Sequence, residues 1–413
     1  MPEFADLNVP LRRLTPAEGH YFFGYYDVPA ADARGRHLCH KVTFRDRFPT
    51  AQDVALLGYV ELPAPERSNT KATREVFSVF GQTTAWNFQQ GAMLQWLGGE
   101  ADTCVYNVFE NGRFASCVHN VETGKCRLLP LPVANVSRDG TKALCINMSR
   151  VYDFRPGYGY EELPDPFAAE AAPEADGVWI MSMDTGEHRL ILSYAELVDF
   201  ALGEGALEEP KKVVVNHITF NPSAQRFMFL LRTFPDRPGL GWETLLMTAA
   251  VDGSDLRLHP TWGMASHYHW RNDEELLIWM HIGPERKAGL VLLNDRSGRR
   301  ELVDEAFFTW DGHCSYSPDG QWILYDGYPD GSTPDYMRWL GIYSLEQRKG
   351  FTLGRFRSEP LYRETAEGPD WSFVDLRCDL HPRWMPNGTS VTFDSIHEGY
   401  RGIYWADVSA IMV

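Results

Sequence analysis

The chain is poor in positive charge, in long hydrophobic runs and in cysteine. Its 39 basic residues are outnumbered by 56 acidic ones, which disfavours nucleic-acid binding. No stretch approaches the roughly 20 apolar residues of a membrane span, and the N-terminus lacks the basic and apolar regions of a secretory signal. The seven cysteines follow no disulfide or zinc spacing. We therefore expect buried reduced thiols, a cytoplasmic protein and no membrane partner.

Several signatures of catalysis and nucleotide binding are also missing. The sequence has no Gly-x-Ser-x-Gly motif, so a serine hydrolase domain is not expected. It has neither a Walker-type phosphate loop nor the Gly-x-Gly-x-x-Gly fingerprint of dinucleotide-binding folds. Repeated Trp-Asp endings are absent as well, which disfavours a WD-repeat scaffold.

The second half of the chain repeats one short phrase. Each copy is a histidine, two further residues, an aromatic residue, a tight turn and a hydrophobic run. At intervals of roughly 45 to 70 residues, the copies begin at His217, His267, His313 and His381. The hydrophobic runs predict strands at 226–231, 275–280, 322–326 and 391–394. A repeat of this period indicates a β-propeller, in which equivalent positions of successive blades meet at one axis.

Fainter copies in the first half bring the total to seven units. They begin near residues 20, 90, 133, 213, 264, 311 and 378. The last unit is one strand short, and segment 11–14 is able to supply it. We therefore predict an all-β, seven-bladed β-propeller that spans 1–413 as a single domain, with an N-terminal strand closing the last blade. Rim insertions are expected near 155–176 and 354–375, and a short helix at 194–206.

The repeat gathers histidines at one end of the channel. Imidazole is the commonest side-chain ligand of metals, and the candidate ligands of a divalent ion are His267, His269, His313 and His381. His267 and His269 are two residues apart, so they are expected to share one face of a strand. His217 has the same repeat phase and is a candidate catalytic residue. The alternative is that these imidazoles only form hydrogen bonds within their blades.

Two arginines and two tyrosines surround a Gly-Pro loop after the third unit's inner hairpin. Arginine binds carboxylates in a fork, and a tyrosine with a tuned pKa can transfer a proton. Arg150, Arg155 and Tyr158 are therefore candidate catalytic residues. Tyr160 is a candidate substrate-binding residue. The alternative is a packed aromatic loop with solvated arginines.

A tryptophan beside amide side chains is typical of sugar binding. The ring stacks on a sugar face while the amides bond its hydroxyl groups. Trp86, Asn87 and Gln90 form such a set. Tyr25 belongs to a similar aromatic and polar segment in the first unit. All four are candidate substrate-binding residues, and the alternative is a turn that connects two blades.

Three features resemble those of the TolB-like propellers: Ser-Pro-Asp-Gly turns, units that begin with histidine, and the segment Asp-Leu-His-Pro-Arg-Trp at 379–384. Over nearly the whole chain, the sequence is most similar to oligogalacturonate lyases and to propeller lyases that cleave rhamnosyl-glucuronate linkages. This resemblance implies a carbohydrate-active enzyme with a divalent metal, manganese or calcium, at the histidine-rich axis. It also implies that separate histidine and arginine residues act on the uronate.

The favoured function is a lyase that cleaves a small acidic, uronate-containing oligosaccharide by β-elimination. The developing negative charge requires a local cation, either a metal or arginine, which a net-acidic protein can still provide. Two alternatives stay open: a non-catalytic binding or scaffold propeller, and a glycoside hydrolase. A hydrolase needs two carboxylates about 5–10 Å apart, and the candidates are Asp27, Asp311 and Asp379.

Overall fold

Seven four-stranded antiparallel sheets follow one another along the chain. They are seen in a computed structural model that describes residues 9–62, 76–235, 241–328, 336–358, 363–365, 368–370 and 374–412. The predicted all-β, seven-bladed propeller is therefore confirmed. The four predicted strands of the second half are all present, each extended by one or two residues.

The strands are assigned to blades as follows. Strand β1 (Leu11–Arg13) belongs to the last blade. Blade 1 contains β2 (His20–Phe22), β3 (Arg36–Val42), β4 (Ala55–Glu61) and β5 (Ser78–Thr83); blade 2 contains β6 (Gln95–Trp96), β7 (Thr103–Glu110), β8 (Arg113–Asn120) and β9 (Cys126–Leu129). Blade 3 contains β10 (Asn135–Val136), β11 (Lys142–Cys145), β12 (Gly177–Ser182) and β13 (His188–Ser193); blade 4 contains β14 (Val213–Phe220), β15 (Arg226–Thr233), β16 (Thr244–Ala250) and β17 (Arg257–His259).

The remaining blades have the same order. Blade 5 contains β18 (Ala265–Trp270), β19 (Glu275–His281), β20 (Ala288–Asn294) and β21 (Arg300–Leu302); blade 6 contains β22 (Cys314–Tyr316), β23 (Trp322–Gly327), β24 (Met337–Ser344) and β25 (Lys349–Arg357). A separate hairpin consists of β26 (Arg363–Thr365) and β27 (Gly368–Asp370). Blade 7 contains β28 (Arg383–Trp384), β29 (Ser390–Ser395) and β30 (Gly402–Asp407).

Strand β1 closes the ring, as predicted. It pairs antiparallel with β30, placing Leu11 opposite Ala406 and Arg13 opposite Tyr404. Three strands from the end of the chain and one from its beginning thus form blade 7. This pairing removes an open strand edge, which would otherwise be available to pair with another chain.

The turn chemistry of the repeat explains its regular hairpins. Between β22 and β23, Gly320 adopts the left-handed conformation with φ 70°, which glycine tolerates best. The Ser317 hydroxyl donates to Asp319 and accepts from the Trp322 backbone N–H at 3.0 Å. The turn therefore starts β23 at a defined residue, and all six residues of that strand are buried.

Two helices flank the outer strands of blade 3. Helix α1 (Met148–Phe154) was not predicted and begins after Asn147, whose side chain accepts hydrogen bonds from two backbone N–H groups of the first turn. Helix α2 (Tyr194–Gly203) lies within the predicted range 194–206 and begins with a capping box between Ser193 and Glu196. Neither helix, nor any other in the described part of the chain, is long and apolar enough to cross a membrane.

The two predicted rim insertions differ in outcome. Residues 155–176 are all described and contain no strand or helix, as expected of an insertion. The second insertion begins later than its predicted start at 354, because β25 continues to Arg357. Residues 359–362, 366–367 and 371–373 of that range lie outside the described residues.

The cysteines are all free. Six of them are buried, as predicted, and Cys126 is exposed. The exposed position is a correction to the expectation that every thiol is buried, and it results from the location of Cys126 on the outermost strand of blade 2.

Histidines buried in a neutral state make stability depend on pH. His37 connects blades 1 and 7 through a contact of 3.0 Å with the Thr392 hydroxyl, and burial lowers its pKa to about 3. An unfolded histidine has a pKa of about 6.5, so between these values the unfolded state binds the extra proton. The contribution of His37 is therefore complete above about pH 6.5 and is lost as the pH falls toward 3.

We expect the His37→Gln variant to show a weaker acid destabilisation than the wild type. Between about pH 7.5 and pH 5, the decrease in the free energy of unfolding should be smaller by about 2 kcal/mol. Urea unfolding at the two pH values measures this difference. The exposed His188→Gln variant is the control and should keep the wild-type pH dependence. An equal acid destabilisation in wild type and His37→Gln would show that His37 is protonated in the folded state.

Candidate functional site

Four histidines from blades 4 to 7 meet at one end of the axis. The rings of His267 and His313 lie 3.9 Å apart, and those of His313 and His381 lie 4.3 Å apart. Tyr25 connects His217 to this group, since its ring stacks on His217 at 5.1 Å and lies 5.2 Å from His381. The shared repeat phase thus brings these imidazoles together. We refer to the four histidines with Tyr25 as the axial cluster.

Two members of the axial cluster have strained backbones. His217 has φ 52° and His381 has φ 42°, a left-handed conformation that is uncommon for residues other than glycine. At His217 the pairing of β14 with β15 is irregular, with a register shift between Asn216 and Ile218. Such conformations cost about 1–3 kcal/mol and concentrate at functional sites. The backbone strain therefore indicates that the fold holds both histidines in specific positions.

The orientation of His313 is determined by Asp326. The carboxylate lies 2.9 Å from His313 Nδ1 and also accepts the backbone N–H groups of His313 and His381, at 2.7 and 3.2 Å. Burial lowers the pKa of His313 well below its usual value, so the ring is neutral. With its proton on Nδ1, its Nε2 lone pair is available, and Nε2 has no partner among the described residues. This is the arrangement of a metal-binding histidine with a supporting carboxylate.

Asp379 completes a group of three donors with His313 and His381. One ligand atom of each lies within 4.8 Å of the other two, and all three residues are buried. Burial acts to raise the pKa of Asp379, but Arg377, bound at 2.8 and 2.9 Å, holds it well below its usual value. His381 Nε2 is also without a partner in the described part of the chain. Two neutral imidazoles and a carboxylate fit a divalent cation such as Mn²⁺.

Asp379 was named from the sequence only as a hydrolase carboxylate. The Asp-x-His spacing with His381 was the available signal, but the left-handed backbone of His381 prevents a simple alternation of side chains from predicting the group. Asp326 was missed altogether. It lies in strand β23, and nothing in its sequence context distinguishes it from a polar residue within a blade.

His267 belongs to the axial cluster, but His269 does not. His267 contacts His313 and lies 2.9 Å from Asp311 through Nδ1. His269 instead packs against Tyr316 and accepts the backbone N–H of that residue at 3.4 Å. The register of β18 shifts between Ala265 and Tyr268. The prediction that His269 is a metal ligand beside His267 is therefore wrong, because the irregular strand does not keep their side chains together.

Arg150 is a structural residue rather than a substrate clamp. Its side chain is fully buried and forms an ion pair of 3.0 Å with Asp165, which is equally buried. The remaining N–H groups donate to the backbone carbonyls of Val213, Phe167, Glu170 and Ala171. Arg150 therefore attaches the 155–176 insertion to strand β14. Its predicted catalytic role is wrong, because these groups occupy the guanidinium.

We expect Arg150→Ala to reduce the free energy of unfolding by about 3–5 kcal/mol, since it leaves the Asp165 carboxylate buried without its partner. Urea unfolding followed by circular dichroism measures the loss. The control is Arg113→Ala on the exposed end of β8, which should change stability by no more than about 0.5 kcal/mol. Equal stability of the two variants would contradict the structural role of Arg150.

Arg155 and Tyr158 lie beside the axial cluster. The Tyr158 ring is 5.4 Å from His217, and the Arg155 guanidinium lies 4.4 Å from the centre of the Tyr158 ring. Arg155 donates to Asp375 at 3.1 Å, so its charge is already compensated. Burial raises the pKa of Tyr158, which keeps the phenol protonated. Both residues are well placed to shape the site, but Arg155 has less charge to offer a substrate than the sequence suggested.

Three predicted sugar-binding residues are buried and form hydrogen bonds within the protein. Trp86 is 1% exposed and donates its indole N–H to a backbone carbonyl at 2.7 Å. The Asn87 side-chain oxygen accepts two backbone N–H groups of its own turn, at 3.1 and 2.7 Å. The Tyr160 hydroxyl accepts a hydrogen bond from Asn107 at 2.9 Å. Their assignment to substrate is wrong, because these contacts bury the groups that a sugar would need.

Tyr25 and Gln90 do reach the axis, where they line a narrow cavity beside His217. Asn216, Asp27 and apolar residues complete its wall. Within the described residues, no hydrogen-bond partner is found for the Tyr25 hydroxyl, for either polar atom of the Asn216 amide or for His217 Nδ1. Buried polar groups are rarely left unpaired. The cavity is therefore suited to a polar ligand.

Arg232 supplies a positive charge to this region and was missed in the sequence. It lies on β15, is 4% exposed, and its Nε and Nη1 groups have no partner among the described residues. Burial, together with the charge of Arg155, lowers its pKa to about 10, so it remains a cation at neutral pH. Its charge also contributes to the lowered pKa of His217. An arginine directly after the apolar run 227–231, still within strand β15, was the available signal, because buried charges are rare without a partner.

Solved structures with a similar fold are known, although no family model and no curated protein matches the sequence. An oligogalacturonate lyase in complex with manganese is 14% identical, with 98% of this chain and 94% of that chain covered and a TM-score of 0.64. An oligogalacturonate lyase from Vibrio parahaemolyticus is 14% identical, with coverages of 98% and 95% and a TM-score of 0.63. TolB from Acinetobacter baumannii is 13% identical, with coverages of 78% and 63% and a TM-score of 0.41.

The two lyases are similar to this chain over nearly its full length. At this level of identity, the similarity confirms the predicted resemblance as one of fold. The residues that perform a reaction must be inferred from the site itself.

Proposed function

We propose that this chain is a lyase that cleaves a uronate-containing oligosaccharide by β-elimination. The observation that carries this proposal is the buried guanidinium of Arg232 next to neutral His217. Its Nε and Nη1 groups have no hydrogen-bond partner among the described residues. A buried cation without a counter-ion is costly, and an anionic ligand at this position offsets that cost. A uronate carboxylate has the required charge and shape, and the fold similarity to two oligogalacturonate lyases supports the same reaction class.

Arg232 is assigned the substrate carboxylate. Its two unpaired N–H groups can form charge-assisted hydrogen bonds with that group. Removal of the proton next to the carboxylate creates a second negative charge there, and electrostatic stabilisation of such charge is strong in a site that excludes water. Arg232 would therefore bind the developing dianion more strongly than the substrate, as catalysis requires.

A divalent metal such as manganese would be held by His313, His381 and Asp379. When bound, it supplies a Lewis acid that stabilises negative charge on a uronate oxygen. Asp326 keeps the His313 proton on Nδ1, and Arg377 keeps Asp379 ionised. The chain thus holds all three donors in the protonation states that metal binding requires.

His217 is assigned the role of base. Burial lowers its pKa well below the usual value, followed by the effect of the Arg232 charge, so its lone pair is free at neutral pH. Its Nδ1 has no partner among the described residues. A bound carboxylate neutralises the nearby arginine charge and raises the pKa of His217, which strengthens the base when substrate is present. The stacked Tyr25 ring keeps the imidazole in place.

The proposed substrate is a small acidic oligosaccharide containing galacturonate or rhamnosyl-linked glucuronate. The test is to incubate the full-length protein and manganese with both types and to measure ultraviolet absorbance and reducing ends. New absorbance from an unsaturated uronate, rising with reducing ends, is the expected result. Reducing ends without absorbance would replace the lyase by a hydrolase. Binding of a substrate without either signal would leave a non-catalytic propeller.

A further inference from the structure

A second group of metal-binding side chains lies on the outer strands of blade 2. Cys117 and His119 are two residues apart on β8, so their side chains share one face. Cys126 lies on β9 directly opposite His119, which places it on the same face. One donor atom of each residue lies within 4.8 Å of the other two. The pairing of two strands, rather than any sequence motif, therefore assembles two thiols and an imidazole.

The surroundings hold His119 in a fixed position. Its Nδ1 is 3.1 Å from the Tyr106 hydroxyl, and the edge of the ring packs against Phe80 of blade 1 at 5.1 Å. Metal-binding histidines commonly have such a partner on the nitrogen that does not bind the metal. Cys117 and His119 are buried, whereas Cys126 is exposed. The group is therefore supported on its inner side and open to solvent on its outer side.

We propose that Cys117, His119 and Cys126 form a binding site for a thiophilic divalent cation, of which Zn²⁺ is the best match. Two thiolates and an imidazole are preferred ligands of zinc, and three protein ligands leave a fourth tetrahedral position. That position faces solvent beside Cys126. The metal connects β8 to β9, the outermost strand of the blade, and so adds a cross-link to the strand pairing at this edge.

This site is independent of the proposed lyase activity. The axial donor group contains imidazole and carboxylate ligands but no sulfur, a set that suits manganese better than a Cys₂His set does. Sulfur ligation therefore distinguishes the two sites in one protein. Absorbance that depends on sulfur ligation gives the same answer whether or not the protein cleaves a uronate.

The test is a Co²⁺ titration of the reduced, metal-free, full-length protein. We expect a near-ultraviolet thiolate-to-cobalt band that rises to saturation, and visible bands of tetrahedral cobalt. In the His313→Ala variant, which lacks the axial group, the thiolate band should saturate with one equivalent. Zn²⁺ should abolish these bands and raise the melting temperature. Cys126→Ser is the main variant because its exposed position allows the fold to be retained. It should weaken Co²⁺ binding at this site by more than about 100-fold, since loss even of supporting groups costs 10–100-fold.

His119→Gln tests the same site without removing a thiol, and it should also lose the tetrahedral bands. The controls are Cys145→Ser, which changes a buried thiol of blade 3, and His313→Ala, which changes the axial group. Both should keep the thiolate band. Absence of that band in the reduced wild type, or its retention in both Cys126→Ser and His119→Gln, overturns the proposal. A Cys117–Cys126 disulfide together with no cobalt binding by the reduced protein would do the same.

Discussion

Replacing Arg232 by glutamine is expected to lower kcat/KM on a uronate oligosaccharide by about 10²–10³. The variant keeps a polar side chain, although a shorter one, and loses the charge proposed to face the substrate carboxylate. Its folding stability should stay equal to that of the wild type or increase, because the unpaired buried charge is itself destabilising. Turnover and urea unfolding, measured on the same preparations, check both parts.

A methyl-esterified substrate separates electrostatics from structure. The ester has no carboxylate charge, so wild type and Arg232→Gln should differ much less on it than on the free acid. Arg155→Gln is the matched arginine control, and its effect on the free acid should be smaller because Asp375 already compensates that charge. An equal loss on both substrates would contradict carboxylate binding by Arg232.

Loss of one axial imidazole is expected to abolish manganese binding at the axis. His381→Gln removes a buried nitrogen of the three-donor group, and we expect the affinity for Mn²⁺ to fall by more than about 100-fold. Asp326→Asn changes only the group that orients His313, so it should cost about 10–100-fold. Isothermal titration of the metal-free protein with Mn²⁺ measures both losses, and the melting temperature reports on folding.

His269→Gln is the matched histidine control. Its ring lies against Tyr316, away from the axial cluster, so manganese affinity should be unchanged. An unchanged Mn²⁺ affinity in His381→Gln would show that this imidazole has a structural role. A loss in His269→Gln equal to that in His381→Gln would contradict the assignment of the site to the axial group.

The seven-bladed fold could be predicted because its signals are local and repeated. A Ser-Pro-Asp-Gly turn specifies a hairpin through its own hydrogen bonds and through the left-handed Gly320. The same phrase recurs often enough for the number of blades to be counted. The meeting of His217, His267, His313 and His381 followed from the same repeat, because equal phase in a propeller means equal distance from the axis.

The roles of individual charged residues could not be predicted in this way. Arg150 and Arg232 are both arginines near an inner hairpin, yet Arg150 is bound by Asp165 and backbone carbonyls while Arg232 has N–H groups without a partner in the described structure. The difference arises from which segments of the folded chain lie against each guanidinium. Strand β14 and the 155–176 insertion supply the partners of Arg150, whereas the described residues supply none for Nε and Nη1 of Arg232.

The sequence by itself therefore determined the blade number, the ring closure by β1 and the convergence of four histidines, because each depends on period and turn chemistry. Only the tertiary structure decided that His269 turns away, that Asp379 lies beside His313 and His381, and that Cys117, His119 and Cys126 meet. A register shift in β18 displaces the His269 side chain. The Asp379 group and the cysteine–histidine group both depend on contacts between separate segments. Such contacts determine the distances between side chains, their burial and their charge states. The repeat period of the sequence carries no information about these properties.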